Sequence, residues 1–294
     1  MKKIIITGAN GFIGRHCIDV LKKRDFEIHA LSSNEKENAE SIFWHTVNLL
    51  NEEEVNDIFE KIKPEYLLHL AWKIDKNYND NFHFDWINVG VNMLKVFHKH
   101  GGKRFVGAGT CFEYDWSAGI CHETQQPSNS KFNYGFAKYT LNTILHKYCR
   151  SNNISYAWGR IFFAYGPGGN TTSLIPYVTK NLTEGKEVEI TGGEQIRDYI
   201  FVEDIANAFV NLVDSEIQGA VNISSGLPTK VKEIVKIIAD YFNKKNLVKF
   251  KSNNKLNFSD SFLLGDNTRL TQELKFTPEI GIREGVHRTI ESLS

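Results

Sequence analysis

The stretch KKIIITGANGFIGRH, residues 2–16, joins a short apolar run to three regularly spaced glycines. The isoleucines at 4–6 form a continuous β-branched run, which is typical of a strand buried on both faces of a parallel sheet. Gly8, Gly11 and Gly14 follow directly. Their spacing lets the backbone turn sharply and present N–H groups to an anion at the start of a helix. The stretch therefore predicts a strand, a phosphate-binding turn and a helix.

The residues after the third glycine narrow the kind of phosphate ligand. A phosphoryl-transfer loop of the Walker type ends in Gly-Lys-Ser or Gly-Lys-Thr, whereas Gly14 is followed here by Arg15 and His16. The turn therefore favours a dinucleotide over a nucleoside triphosphate. An ordinary glycine-rich turn is the alternative, since such patterns also occur by chance.

Strand-like and helix-like segments alternate through the first half of the chain. This order is typical of a doubly wound α/β fold of the Rossmann type, in which helices cover both faces of a parallel sheet. The pattern predicts strands at 2–7, 27–31, 42–47, 66–70, 103–108 and 155–163, and helices at 12–23, 52–62, 86–99 and 133–150.

The glycines and proline at 166–169 mark a change, because the later segments are shorter and less regular. We therefore predict a dinucleotide-binding domain at 1–165 and a smaller C-terminal domain at 166–294 that mainly binds substrate. Segments such as 203–223 are expected to pack back on the first domain.

The charge balance and the cysteines exclude several classes of function. Lys and Arg number 35, as do Asp and Glu, so nothing in the net charge favours nucleic acid or a membrane surface as partner. The four cysteines are scattered without metal-ligand spacing, which favours a reducing compartment and predicts no metal site. The apolar run ends at Thr7, too short for a secretory signal, so we expect a cytoplasmic location.

A candidate reacting group lies in NYGFAKYTLN, residues 133–142. Tyr134 and Lys138 are four residues apart, so they project from one face of a helix. A free tyrosine titrates near 10, and a phenol that carries protons near neutral pH needs a positive neighbour, which Lys138 supplies. The alternative is a solvated pair on an exposed helix face. The glycine turn upstream favours the catalytic interpretation.

These motifs together resemble a known family. TGANGFIG at 7–14, YGFAK at 134–138, GTCFEY at 109–114, RIFFAYGPGG at 160–169 and GGEQIRDYIFVEDIANA at 192–208 are similar to the signatures of extended short-chain dehydrogenases/reductases, the NAD-dependent epimerase/dehydratase family. The resemblance covers nearly the whole chain. Within that family it is nearest to nucleotide-sugar 4-ketoreductases, which implies an NAD(P)-dependent enzyme that acts on a nucleotide sugar.

The resemblance implies roles for individual residues. Tyr134 would be the acid or base at a sugar hydroxyl or ketone, and Thr110 would hydrogen-bond the same oxygen. Lys138 would hold the nicotinamide ribose and lower the pKa of Tyr134. Cofactor-binding positions are then Gly8, Gly11, Phe12, Ile13, Gly14, Arg15, Ser32, Ser33, Asn48, Leu49, Leu70, Ala71, Trp72, Asn88, Tyr134 and Lys138. Substrate-binding positions are Thr110, Cys111, Phe112, Phe163 and Arg197, with Arg197 on the diphosphate and Asp198 orienting its loop.

Two departures from the family pattern refine the function. Dehydratases carry Thr-Asp-Glu, whereas Cys111 and Phe112 follow Thr110 here and cannot transfer protons that way. Phe163 replaces the usual asparagine before Tyr-Gly-Pro. A 4,6-dehydratase is therefore not expected. GTCFEYDW at 109–116 and RIFFAYGPG at 160–168 together resemble most the reductases of this family, which implies reduction of the 4-keto group of a nucleotide-linked 4-keto-6-deoxysugar. The alternatives are a 4-epimerase that retains NAD and a non-catalytic protein that senses a dinucleotide.

The cofactor type depends on the end of the second strand. An aspartate there would bind a ribose 2′-hydroxyl, but the chain has Ser32 and Ser33. Because Arg15 and Lys36 could approach a 2′-phosphate, NADP is favoured over NAD. Solvated surface charges are the alternative for both residues. A homodimer built through the helices near 86–100 and 133–150 is implied by the resemblance.

Several aromatic residues and one histidine need separate interpretation. Trp44, Trp86 and Trp158 are expected to be core or interface packing, while Trp116 is the better candidate for the substrate pocket. His69, just inside a strand end, is interpreted as a packed histidine rather than a base.

Overall fold

A computed structural model describes residues 1–39, 41–74, 77–125, 130–251 and 261–293. The strands within these ranges are β1 Lys2–Thr7, β2 Phe26–Ser32, β3 Ile42–Thr46, β4 Tyr66–His69, β5 Arg104–Thr110, β6 Ile120–Cys121, β7 Ser155–Ile161, β8 Phe163–Tyr165, β9 Val188–Thr191, β10 Ile196–Phe201, β11 Gly219–Ile223, β12 Pro228–Lys230, β13 Val248–Lys251 and β14 Phe262–Gly265. The helices are α1 Phe12–Leu21, α2 Glu52–Ile62, α3 Phe82–Lys99, α4 Asn133–Ser151, α5 Leu174–Thr183, α6 Val202–Val213, α7 Val231–Tyr241 and α8 Ile282–Glu291.

A seven-stranded sheet has the order β11-β7-β5-β4-β1-β2-β3, and every neighbouring pair in it is parallel. The strand order reverses between β1 and β4, and ligands of such sheets bind beyond the carboxyl ends of the strands at that point. The predicted doubly wound α/β fold of the Rossmann type is confirmed.

Alternate side chains of β1 explain why this sheet is covered on both faces. Ile4 and Ile6 pack in one core with residues of α1 and α6. Ile5 packs in the opposite core with residues of α2, α3 and α4. All three isoleucines are fully buried, as expected for a strand between two helix layers.

A third core lies among α5, α7 and α8, away from the large sheet. Beside it, β12, β10, β14 and β6 form a second sheet in that order, with β8 paired to β10. Strands β9 and β13 form a two-stranded ladder. Helix α6 and strand β11 lie on the large sheet, so the chain returns to it after building part of the second unit.

Two elements depart most from their predicted bounds, while the others agree to within two residues at each end. The strand predicted at 155–163 is broken, because Phe162 donates its backbone N–H to Ile223 O at 3.0 Å and its side chain is buried in a separate apolar cluster. Phe163 then starts β8, which pairs with β10. Helix α3 begins at Phe82 instead of 86, and Asp80 Oδ1 accepts the N–H of Phe82 at 3.0 Å.

In the described part of the chain, no helix combines the length and the apolar character needed to cross a membrane.

His69, at the end of β4, is 2% exposed and ties two strand ends together. Its Nδ1 lies 2.8 Å from Thr7 Oγ1, which also accepts the N–H of Ala71 at 3.2 Å. Burial, aided by the charge of Lys138, lowers the pKa of His69 to about 3. The histidine is therefore a packed, neutral side chain.

This burial predicts a loss of stability in mild acid. The pKa of His69 is lowered on folding, so the unfolded chain binds the extra proton below about pH 6.5 and stability is lost as the pH falls. Between pH 7 and pH 5 the loss from this one residue is about 2 kcal/mol in the free energy of unfolding. Urea denaturation of the wild type and of His69→Gln at both pH values measures it. The variant should have the flatter pH dependence, and equal slopes would contradict the prediction.

Candidate active site

The three glycines of the first turn lie where side chains do not fit. Gly8 has φ +67°, and a Cβ there would lie 2.8 Å from Ala71 N. A Cβ on Gly14 would collide with the carbonyl oxygen of Gly8. The N–H of Gly11 donates to the same oxygen at 2.9 Å, and α1 begins at the next residue. The backbone is thus open to an anion at the start of α1.

A cavity of about 450 Å³ adjoins this turn at the carboxyl ends of the strands. The predicted cofactor residues that line it are Gly8, Gly11, Ser32, Ser33, Asn48, Leu49, Ala71 and Trp72. Asn10, Leu31, Asn34, Val47, Leu50, Lys73 and Trp86 also line it. An open glycine cradle beside a cavity of this size fits a dinucleotide cofactor.

Other predicted cofactor residues lie outside this lining. Gly14 and the backbone of Leu70 both lie against Gly8 beneath the turn, so there is no room for a side chain at Gly14 or at Gly8. Phe12 packs against Gly169, and Ile13 packs on the core beneath α1. Asn88 is exposed on α3.

Arg15 is directed away from the Ser32 end of the cavity. Its Nε donates to Gly11 O at 3.2 Å, and its guanidinium lies against Gly168 in the loop after β8. Arg15 was expected to approach a 2′-phosphate, but in the structure it contacts Gly11 and Gly168 instead. Ser32 Oγ accepts the N–H of Asn34 at 3.1 Å, and this turn places Ser33 on the cavity.

Trp86 was expected to be packing, but it lines the cavity beside Trp72, with ring centroids 5.9 Å apart. Trp72 also contacts the candidate reacting group. The Nζ of Lys138 lies 3.9 Å from the Trp72 ring, and the Tyr134 ring meets Trp72 edge-on at 6.2 Å. The resemblance predicted Trp72 as a cofactor-binding position, whereas no sequence pattern distinguishes Trp86 from a core residue.

Tyr134 and Lys138 both contact Trp72, which lines the cavity, whereas Thr110, Tyr134 and Lys138 are not themselves part of its lining. Each is less than a tenth exposed. Thr110 ends β5, and its hydroxyl lies close enough to the phenol of Tyr134 to act against the effect of burial on the phenol pKa. Lys138, one turn further along α4, donates from Nζ to Ala108 O at 2.7 Å. The predicted i, i+4 spacing thus places both side chains against the end of one strand.

Burial sets the electrostatics of this group. It raises the pKa of Tyr134, although the hydrogen bond with Thr110 acts in the opposite direction. It lowers the pKa of Lys138 to about 7, against the opposing charge of Glu113. The expected lowering of the Tyr134 pKa by Lys138 is not found, because the ammonium is directed to Ala108 O and Trp72 and burial outweighs it.

Glu113 is a buried carboxylate that the sequence analysis did not assign. It is fully buried, and Oε1 accepts the N–H of Thr110 and Nε1–H of Trp158, both at 2.9 Å. Its Oε2 accepts Nε–H of Arg160 at 2.8 Å. A signal was present, because Thr110 and Glu113 form the Thr-x-x-Glu spacing of a capping box, and both of its hydrogen bonds are made.

Aromatic rings form a wall facing Tyr134, which we call the aromatic wall. It consists of Tyr78, Phe112, Trp116 and Phe163. The rings of Tyr78 and Phe112 lie 5.7 and 5.9 Å from that of Tyr134. Cys111, next to Thr110, is buried, and burial raises its thiol pKa, so it is not a nucleophile.

Arg197 and Asp198 project differently from β10. The guanidinium of Arg197 lies 5.5 Å from the rings of Trp116 and Phe163 in the aromatic wall. Asp198 is fully buried, and its carboxylate accepts N–H groups of Ser225, Gly226 and Gly265 at 2.8 to 3.1 Å. Asp198 therefore joins the loop after β11 to the end of β14.

Comparison with known proteins places this arrangement in a family. The model of the NAD dependent epimerase/dehydratase family matches residues 4–224. CDP-abequose synthase of Salmonella typhimurium is 28% identical over 224 residues, covering 72% of this chain and 70% of that protein. The dTDP-6-deoxy-L-talose 4-dehydrogenase (NAD(+)) of Aggregatibacter actinomycetemcomitans is 26% identical over 239 residues, covering 79% and 87%.

A solved structure shares the fold over the full length. UDP-glucose 4-epimerase of Thermus thermophilus, in complex with NAD, has a TM-score of 0.85 at 20% identity and covers 99% of this chain and 98% of its own. The family model spans the glycine turn, the Tyr134–Lys138 helix and the strand end that carries Thr110. The chain therefore belongs to the NAD dependent epimerase/dehydratase family, as an enzyme of the extended short-chain dehydrogenase/reductase type.

Proposed function

We propose that this enzyme reduces the 4-keto group of a nucleotide-linked 4-keto-6-deoxysugar with NADPH or NADH, using Thr110, Tyr134 and Lys138. The observation that carries the proposal is the aromatic wall opposite Tyr134. An apolar wall suits the methyl group at C6 of a deoxysugar, since apolar contact there replaces contact with water. Cys111 and Phe112, which follow Thr110, supply no acid pair for dehydration.

The direction of proton transfer follows from the state of the phenol. Burial keeps Tyr134 protonated at neutral pH, so it donates a proton to the sugar oxygen as the carbonyl is reduced. The hydroxyl of Thr110 lies near the phenol and binds the same sugar oxygen in this proposal. A nicotinamide cofactor bound at the glycine turn would supply the hydride. Lys138 holds the cofactor ribose beside Trp72 in this proposal.

The cofactor in this proposal is NADP or NAD, with NADP favoured. Among the described residues that line the cavity, none is Asp or Glu, so no carboxylate would repel a 2′-phosphate. Ser33 and Asn34 line the end where that phosphate would lie, and Lys73 lines the same cavity. Arg15 plays no part in this choice, because it faces the loop after β8.

Residues 166–294 mainly bind the nucleotide sugar in this proposal, and residues 1–165 bind the cofactor. Arg197 is assigned to the substrate diphosphate, for which a guanidinium offers paired donors. Its place beside Trp116 and Phe163 puts a positive charge at the edge of the aromatic wall.

A second copy of the chain is the proposed protein partner. Phe84 on α3 and Phe136 and Ile144 on α4 are apolar and exposed, and the rings of the two phenylalanines lie 6.4 Å apart. These side chains form an apolar face across the two long helices, which pairing of two subunits would bury.

Mixing the purified enzyme with NADPH or NADH and a panel of nucleotide-linked 4-keto-6-deoxysugars tests the function. We expect loss of absorbance at the nicotinamide band with at least one sugar, and a lower KM for NADPH than for NADH. The competing function is a 4-epimerase, which the name of one structural neighbour describes. The opposite result is a purified protein that contains tightly bound NAD and consumes no added NADPH or NADH. That result would overturn the reductase proposal in favour of the epimerase.

A further inference from the structure

The end of β5 brings two oppositely charged side chains close together inside the protein. Lys138 donates to the carbonyl of Ala108, and Glu113 accepts the N–H of Thr110, two residues further along the strand. Between them is Gly109, where a Cβ would collide with both Trp158 Nε1 and Glu113 Oε1. The lysine and the carboxylate thus flank a single glycine.

Trp158 connects the two groups. Its Nε1–H donates to Glu113 Oε1 at 2.9 Å, and its ring lies 5.7 Å from the Nζ of Lys138. The two carboxylate oxygens have different partners. Oε2 binds Arg160, while Oε1 faces Trp158 and the backbone of Thr110. The carboxylate therefore presents one oxygen to the reacting group and the other to Arg160.

We propose that Glu113 is the positioning residue of this site, and that its buried carboxylate fixes Thr110 and supplies the negative charge that keeps Lys138 an ammonium. The role assigned to Thr110 and Lys138 rests on the proposed function. The charge relation between Glu113 and Lys138 does not, since both groups belong to the protein alone.

The first part of the role is geometric. Thr110 and Glu113 cap the short helical turn at 111–113, and Thr110 Oγ1 accepts the N–H of Phe112 at 3.3 Å. This bond sets the direction of the Thr110 hydroxyl, whose proximity to Tyr134 acts to lower the pKa of the phenol. Loss of the Glu113 bond would free the Thr110 backbone and with it the direction of that hydroxyl.

The second part is electrostatic. Lys138 faces Tyr134 on its own helix, His69 on β4 and Glu113 in the turn after β5. His69 is neutral above its pKa of about 3, and burial keeps Tyr134 protonated, so Glu113 is the carboxylate that balances Lys138 among these groups. Burial opposes the charge of Lys138, and Glu113 raises the lysine pKa against it. An opposite charge within about 4 to 6 Å of a titrating group shifts its pKa by about 1 to 3 units.

Glu113→Gln tests the electrostatic part, because its amide oxygen can still accept the N–H of Thr110 while the charge is removed. Arg160 is then left without its partner, which can unfold a protein. The double variant E113Q/R160Q removes both charges and avoids that outcome. Asp204→Asn is the matched control. Its buried carboxylate accepts N–H groups of Glu279 and Ile280 and contacts neither Thr110 nor Lys138.

The readout is the pKa of Lys138, followed by NMR in protein with ¹³C at the lysine ε-carbon and assigned with Lys138→Met. We expect a fall of about 1 unit or more in E113Q and in the double variant, and no change in D204N. At pH 7 a fall of 1 unit reduces the charged fraction of Lys138 about fivefold. An unchanged pKa in both Glu113 variants would overturn the proposal, even if the enzyme proves to be a reductase.

Turnover gives the second readout. With a sugar that the wild type reduces, E113Q should lose kcat about tenfold or more while KM for the sugar changes little, since the smaller charged fraction of Lys138 affects the reacting group and not the binding of the sugar. D204N should keep the wild-type kcat once its stability is allowed for. Equal losses of kcat in E113Q and D204N would reduce Glu113 to a structural role. If no sugar is reduced, the NMR result still decides the charge relation.

Discussion

Replacing Tyr134 with phenylalanine is expected to lower kcat by about 10²- to 10⁴-fold, the usual contribution of a positioned proton donor. The change removes one hydroxyl and leaves the ring packed against Trp72, Tyr78 and Phe112. Cofactor affinity and the thermal midpoint should therefore stay near wild type. Consumption of NAD(P)H in single turnovers, with cofactor affinity from tryptophan fluorescence, separates chemistry from binding.

Tyr148→Phe is the matched control for this change. Tyr148 lies on the same helix, and its hydroxyl hydrogen-bonds His98 Nδ1 at 3.1 Å, on the side that packs against α3. This variant should keep its turnover. A Tyr134→Phe enzyme with wild-type kcat would remove the phenol from the reaction and leave the proposed function without its proton donor.

Local patterns predicted the parts of the site that depend on neighbouring residues. Helix α2 has the bounds predicted from its apolar periodicity, and the four-residue spacing of Tyr134 and Lys138 fixes their common face whatever surrounds the helix. The small residues at Gly11 and Gly14 follow in the same way, because a Cβ there would meet the backbone of Gly8, whereas the requirement at Gly8 arises from the distant Ala71. Such features need no knowledge of distant contacts.

Local sequence patterns did not predict the contacts between distant segments of the chain. Glu113 meets Arg160 across 47 positions, and no local pattern shows that the two belong together. The turn of Arg15 toward Gly168 depends on where the loop after β8 lies. The break at Phe162 depends on a backbone bond to Ile223. In each case a contact with a distant segment sets the local structure, and the residues nearby in the chain do not show it. Such departures from local patterns are common at functional sites.

The pKa of Tyr134 was predicted in the wrong direction for a similar reason. The spacing of Tyr134 and Lys138 shows that the ammonium is near, but it does not show how far both groups are buried. Burial disfavours the phenolate and also weakens the ammonium, so the structure holds a protonated phenol beside a lysine with a pKa of about 7. A protonated phenol is the form that donates a proton to the sugar oxygen in our proposal.

Gly14→Ala is expected to have the second large effect, on binding and stability together. The added Cβ would collide with the carbonyl oxygen of Gly8 and lie 2.8 Å from Ala9 Cα. Because these are backbone atoms, the turn itself has to move. Overpacking of this kind costs about 1 to 3 kcal/mol in the free energy of unfolding. The N–H groups that face the phosphate site move with the turn, so affinity for NADPH and NADH should fall as well.

Gly281→Ala provides the control for this substitution. Gly281 precedes α8 with φ −67°, and nothing lies within 4 Å of the place its Cβ would take. Urea denaturation and titration with NADPH, followed by energy transfer from Trp72 and Trp86 at the cavity, measure both effects. Gly281→Ala should match the wild type in each. If Gly14→Ala also kept wild-type stability and affinity, the close approach of α1 to Gly8 would not be what positions the cofactor.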